Sequence, residues 1–158
     1  MRLFAGIRNS VESEKNADGR LLVIFDGHCA LCSRTVRWLI KRDRRDRLRF
    51  AASESLQVAK ILQKQAEEGF RDPGPPGTIL VLRNADTAAE QLHRRSDAIV
   101  ALLAELPKPW PAIGWALGLI PRPLRDLGYE TVARWRYRIW GRLESCPLPT
   151  GKERSRFL

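Results

Sequence analysis

Cys29 and Cys32 are separated by two residues, and Asp26, Gly27 and His28 lead straight into them. Two thiols at this spacing, placed at the start of a helix, can close a disulfide within one turn. The first sulfur then sits beside free backbone N–H groups and the positive end of the helix dipole. That setting favours thiolate over thiol, which makes Cys29 the expected attacking sulfur and Cys32 the resolving one, with exchange passing through a mixed disulfide. Such chemistry requires no metal and no organic cofactor. Two blander readings stand beside it. A structural zinc takes about four ligands, and beyond the pair the chain offers Cys146, His28 and His93. Alternatively the two cysteines are small core residues without reactivity.

The residues around the pair carry their own alternatives. A protonated His28 would stabilise the neighbouring thiolate, whereas a loop histidine would simply face solvent. Asp26 is expected to cap the helix or hold the turn, and its further option is to relay a proton to the dithiol through water. Gly27 permits a backbone angle or a close approach that a side chain would forbid. Arg95, Ser96 and Asp97 read first as a helix N-cap with an acidic first turn, and second as a substrate or anion contact. Arg122, Arg125 and Asp126 form an expected ion-pair cluster docking the C-terminal helices, with Arg122 as a possible anion contact. Trp135, Tyr137 and Trp140 interleave with arginines, a mixture that single-strand nucleic-acid binders share, but at helical spacing such a stripe is half core and half solvated face. Cys146 is expected to be a packing cysteine rather than a third redox thiol.

The elements that must position the pair are legible in the apolar pattern. Leu21–Phe25 is a continuous run of strand formers, as in a central strand covered on both faces. An amphipathic helix follows from Ala30 to about Asp43, with Cys32, Val36, Leu39, Ile40 and Asp43 on one stripe. Leu48 and Phe50 mark a short second strand. Ser53 is placed to cap a helix over 54–68 whose inner face would be Leu56, Ala59, Leu62 and Ala66. Thr78–Leu82 reads as a third strand and 88–93 as an antiparallel edge strand, before a helix capped by Ser96. Pro111 suits the start of a further helix, Pro121 and Pro123 mark a break, and Leu124–Trp140 is long and amphipathic. The order β-α-β-α-β-β-α, with a helical C-terminal extension, predicts an α/β fold: a thioredoxin-like mixed sheet with helices on both faces. The expected organisation is a flexible leader over 1–19, a core over 20–106 and a helical extension over 107–158 packed on that core.

Composition sets the outer bounds. The chain has 158 residues, 44% of them hydrophobic, which is enough for one core without disulfide staples. The longest uncharged apolar run, Ala112–Ile120, is far shorter than the roughly 20 residues that span a bilayer. No secretory signal is legible at the N-terminus, so a cytoplasmic setting is expected. Twenty-eight Lys and Arg against eighteen Asp and Glu give a net charge of +10. The surplus suits an acidic partner, but it is spread along the chain instead of gathered on one element, which argues against dedicated nucleic-acid binding. A non-catalytic binding module that uses this basic surface for an acidic protein or nucleic acid is the alternative to an enzyme.

The motif Asp26-Gly27-His28-Cys29-Ala30-Leu31-Cys32, directly after the LLVIF strand, resembles the signature of the DCC family of thiol-disulfide oxidoreductases. Further blocks follow in the same order: the LRFA strand, Arg95-Ser96-Asp97-Ala98, Ile120-Pro121-Arg122-Pro123-Leu124-Arg125-Asp126, Val132-Ala133-Arg134, Arg136-Tyr137-Arg138, Gly141 and Cys146. The resemblance implies a thioredoxin-like fold and dithiol-disulfide exchange, with Cys29 and Cys32 as the redox pair. It also implies a protein or small-molecule disulfide substrate and a redox partner that the sequence does not identify. Thioredoxin itself differs, since its tryptophan before the first cysteine and its Gly-Pro between the pair are replaced here by His28 and Ala30-Leu31. Pro75 and Pro76 lie near the place of its cis-proline.

Overall fold

The computed structural model describes residues 20–67, 69, 77–84, 90–144 and 151–158. The expected leader over 1–19, Pro75, Pro76 and Cys146 lie outside them. Strand β1 (Leu21–Phe25) buries all five of its residues, and because successive side chains point to opposite faces it serves two cores at once. Leu21, Val23 and Phe25 pack with Val36 and Leu39 of helix α1 (Ala30–Arg42) and with Ala98 and Leu102 of helix α3 (Arg95–Glu105). Leu22 and Ile24 join Val58 of helix α2 (Leu56–Glu67), together with Leu80 and Leu82, on the other face.

The sheet order is β2-β1-β3-β4, with β2 at Leu48–Ala52, β3 at Leu80–Arg83 and β4 at Gln91–Arg94. β1 runs parallel to β2, with Leu21 opposite Leu48 and Phe25 opposite Ala52. It runs antiparallel to β3, which in turn pairs antiparallel with β4. This four-stranded mixed sheet with helices on both faces is a thioredoxin-like α/β arrangement.

Several local expectations are corrected. Helix α2 starts at Leu56, and its first turn is capped by Ser55, whose Oγ accepts the Val58 N–H at 3.3 Å, rather than by Ser53. Its inner face is Val58, Ile61, Leu62 and Gln65, whereas Leu56, Ala59 and Ala66 are exposed. Both faces satisfy the same helical spacing, and the one that won contains Gln65, whose amide donates to Glu90 ahead of β4. Ser96 does not cap α3. That helix begins at Arg95, directly after β4, with Arg94 at the cap position and no side-chain cap bond. The turn is made by Arg95 itself at φ 51°, a conformation uncommon for any residue but glycine.

Asp43, the odd member of the α1 stripe and the C-cap of that helix, is buried because its carboxylate holds the turn that leads into β2. It accepts the N–H groups of Arg47 and Leu48 and pairs with Arg156 at 3.0 Å. The C-terminal part adds α4 (Trp110–Gly118), α5 (Arg122–Trp140) and a 3-10 helix (Gly151–Arg156). Among the described residues no helix is long and apolar enough to cross a membrane.

Candidate dithiol site

The site stands where β1 ends. Phe25 is the last strand residue, Asp26 and Gly27 are buried in the turn, and Cys29 is the N-cap of α1 with φ −92° and ψ 117°. Its Sγ accepts the N–H of Cys32 at 3.3 Å, so the sulfur does the work that Ser or Asp does at most helix starts. Both cysteines are free thiols. Burial pushes the Cys32 thiol well up from its ordinary value, the hydrogen bond to Cys29 and the charge of that sulfur add to the rise, and Arg136 opposes it. Cys32 therefore holds its proton in the pair.

The turn is held by Asp26, as one of the two structural options proposed. Its Oδ1 accepts the His28 N–H at 2.9 Å. Its Oδ2 takes a different load: the Tyr137 hydroxyl donates to it, and the Arg136 guanidinium pairs with it at 3.4 Å. Arg136 also donates to the Gly77 carbonyl at 2.7 Å and to the Tyr137 hydroxyl at 3.1 Å. Burial, and then the bond to Asp26, raises the Tyr137 hydroxyl above its usual value. Gly77 at φ 83° is required here, because a Cβ on it would lie 2.8 Å from Asp26 Oδ2 and on top of the Arg136 guanidinium. Gly77 was not singled out from the sequence, and Arg136 and Tyr137 were read there as part of an aromatic-basic stripe and a family block without being tied to the Asp26 turn they surround.

His28 faces neither sulfur by hydrogen bond. Its Nδ1 lies 3.2 Å from the Leu143 carbonyl oxygen, and its own carbonyl accepts the Leu143 N–H at 2.8 Å. After Gly141 ends α5 at φ 82°, the chain thus folds back over His28 and Cys29, and Arg142 bridges to Cys29 as a single antiparallel pair. Cys29 is fully buried beneath this strap, while Cys32 is partly exposed.

The candidate contacts at the start of α3 are tied to α5. Ser96 donates to Asp126 at 2.5 Å, Asp97 pairs with Arg125 at 3.0 Å and Arg122 at 3.2 Å, and Arg95 pairs with Glu130 at 3.2 Å. Ser96 shares with Cys32 the wall of a half-open cavity of about 500 Å³ between α1, α3, α4 and α5. Among the described residues no group of three or more His, Cys, Asp and Glu side chains is assembled for a metal ion.

A strand feeding a helix that opens on a Cys-x-x-Cys pair, in a thioredoxin-like sheet, defines the class of thiol-disulfide proteins. The sequence model described as DCC1-like thiol-disulfide oxidoreductase matches residues 23–142. The chain belongs to that family. It is 30% identical over 131 residues to a chloroplastic DCC family protein of Arabidopsis thaliana, covering 83% of this chain and 71% of the relative. It is 27% identical over 137 residues to the uncharacterized protein YuxK of Bacillus subtilis (strain 168), covering 87% of this chain and 93% of the relative. No solved structure matches the chain significantly.

Proposed function

We propose that the protein is a thiol-disulfide oxidoreductase in which Cys29 attacks a substrate disulfide and Cys32 resolves the product. The observation that carries this is Cys29 at the N-cap of α1, accepting the Cys32 N–H, next to a cysteine that keeps its proton. The Cys29 thiolate attacks one sulfur of R–S–S–R′, forming the Cys29–S–S–R bond and releasing R′–S⁻. Cys32 then attacks Cys29 Sγ, its proton passing to the departing R–S⁻, and the Cys29–Cys32 disulfide closes. Two electrons have moved from the dithiol to the substrate. For Cys29 to meet a substrate, the 141–143 strap must lift from His28 and Cys29. Restoring the dithiol needs a redox partner. The low cysteine content supports a reducing, cytoplasmic setting for this work.

One observation favours the reverse order: Cys32 is partly exposed and lines the cavity while Cys29 is fully covered, so Cys32 can meet a substrate while the strap stays closed. Trapping separates the two orders. If Cys29 attacks first, Cys32→Ser accumulates the mixed disulfide and Cys29→Ser does not, and the reverse order inverts that result.

The function itself is tested by equilibrating metal-free protein in graded glutathione buffers. A reversible two-electron transition is expected in the wild type and in Cys146→Ser, and its loss in Cys29→Ser and Cys32→Ser. A pair that stays unreactive, or one locked by bound metal, would sink the enzyme reading. Salt-sensitive binding to an acidic partner, untouched by Cys29→Ser, would then favour the basic binding module.

A further inference from the structure

The cavity beside Cys32 has a lining unlike the rest of the site. Leu31 and Val36 from α1, Ile99 and Val100 from α3, and Leu117 and Leu124 from the α4–α5 region make its wall, and Cys32 supplies the sulfur in it. Its volume of about 500 Å³ falls within the range of pockets that enclose a small organic molecule. A bound peptide would bring backbone N–H and C=O groups against this apolar wall, where they would lose water without gaining partners. A compact apolar molecule loses nothing of the kind.

Charge narrows the ligand further. Among the described residues the wall holds two guanidinium groups, Arg125 and Arg136, and no carboxylate. The carboxylates that pair with them, Asp97 and Asp26, stand behind the wall at the α3 and β1 ends. Arg125 is about nine-tenths buried, yet its Nε and Nη1 have no hydrogen-bond partner while Nη2 bonds Asp97. Buried donors without an acceptor favour a ligand that supplies one. A cationic group would meet repulsion and no counter-charge.

We propose that this cavity seats a small apolar disulfide that carries an anionic end, its sulfurs against Cys32 and its anion toward Arg125. The proposal rests on exchange at the Cys29–Cys32 pair and on the order in which Cys32, the cysteine in the cavity wall, meets the ligand first. The electron balance is that of the exchange above: the ligand disulfide is reduced to thiols and the protein dithiol is oxidised. A cyclic disulfide leaves as a single dithiol.

Gly128 provides the test, because it lies in the cavity wall and a Cβ built on it meets nothing within 4 Å. Gly128→Leu therefore narrows the cavity without a clash at its first carbon, and leucine is the better helix former. Folding of this variant and of Gly128→Ala is checked by circular dichroism and urea unfolding. Full-length reduced protein is then mixed with lipoate, a cyclic apolar disulfide ending in a carboxylate, or with cystamine, a disulfide ending in two ammonium groups. Gly128→Leu is expected to slow oxidation by lipoate about tenfold or more and to leave cystamine within about twofold, the scale on which misfit in an apolar pocket acts. Equal slowing of both, or of neither, overturns the proposal.

A second arm removes redox chemistry. Octanoate is titrated by NMR into Cys29→Ser/Cys32→Ser, with and without Gly128→Leu. Binding abolished by Gly128→Leu supports the apolar-anion site, and it does so even if no disulfide oxidises the wild type, in which case the exchange reading alone has failed. Oxidation by disulfides with no octanoate binding and no effect of Gly128→Leu leaves exchange standing and overturns the site.

Discussion

β1 buries all five of its residues, and α5 buries one of nineteen, that one being Arg136. Nine of the eleven large apolar side chains exposed among the described residues lie between Ile113 and Ile139. The two regions spend their apolar residues differently. In the strand, alternation places each side chain in one of two packed cores, so hydrophobic burial supplies the stability. In the helical part the apolar residues arch over the cavity or face outward, and the inner position is given to a cation that must meet Asp26. The core builds the platform for the dithiol, and the extension supplies its electrostatics and its roof.

The contrast can be broken from either side. Phe50 is fully buried in β2 against Phe157, with ring centroids 5.6 Å apart, and Phe50→Ala is expected to cost about 3–5 kcal/mol in urea unfolding. A loss below about 1 kcal/mol would mean that the sheet core is not the source of stability. On the other side, Arg136→Met leaves Asp26 buried beside Tyr137 without its cation, so a loss of up to about 3–5 kcal/mol is expected despite the added apolar surface. Pairing it with Asp26→Asn in a double-mutant cycle should recover part of that loss. Strict additivity would show that the two groups do not interact.

A smaller effect follows from Cys32. Its thiol is raised in the folded protein from the ordinary value of 9.0, so above about pH 9 the unfolded chain gives up a proton that the folded chain keeps. Stability should therefore fall as pH rises from 9, by at most about 1.4 kcal/mol per pH unit for this one group. Between pH 9 and 10, below the ordinary tyrosine value of 10.0, Cys32→Ala should show a shallower fall than the wild type. Identical slopes would show that the proton on Cys32 is not linked to folding. The smallest effect sharpens the comparison. Trp115 is 70% exposed on α4, and Trp115→Ala should change stability by no more than about 0.5 kcal/mol, although the same truncation in the core would be severe.

The chain order of strands and helices was readable because α1 carries a helical period, while LLVIF and TILVL are short runs of strand formers bounded by turn residues. Ser55 against Ser53, and the face of α2, were not readable, because two serines and two apolar stripes met the same local rules and Gln65 chose between them through a residue 25 positions away. Likewise the sequence grouped Arg122 and Arg125 with Asp126, whereas in the fold both arginines pair with Asp97 at the start of α3 and Asp126 accepts from Ser96, because the docking of α5 on α3 chose the partners.

By itself the sequence determined the Cys-x-x-Cys pair, its place between a buried strand and a helix, and the family to which such blocks belong, because those are properties of spacing and period along the chain. Tertiary structure alone decided which sulfur is covered, that Arg136 and Tyr137 close on Asp26 across 110 residues and more, and that α4 and α5 line an apolar space beside Cys32. Each of those depends on where a distant helix docks, and the free energy that docks it comes from surfaces summed over the whole fold, not from any motif.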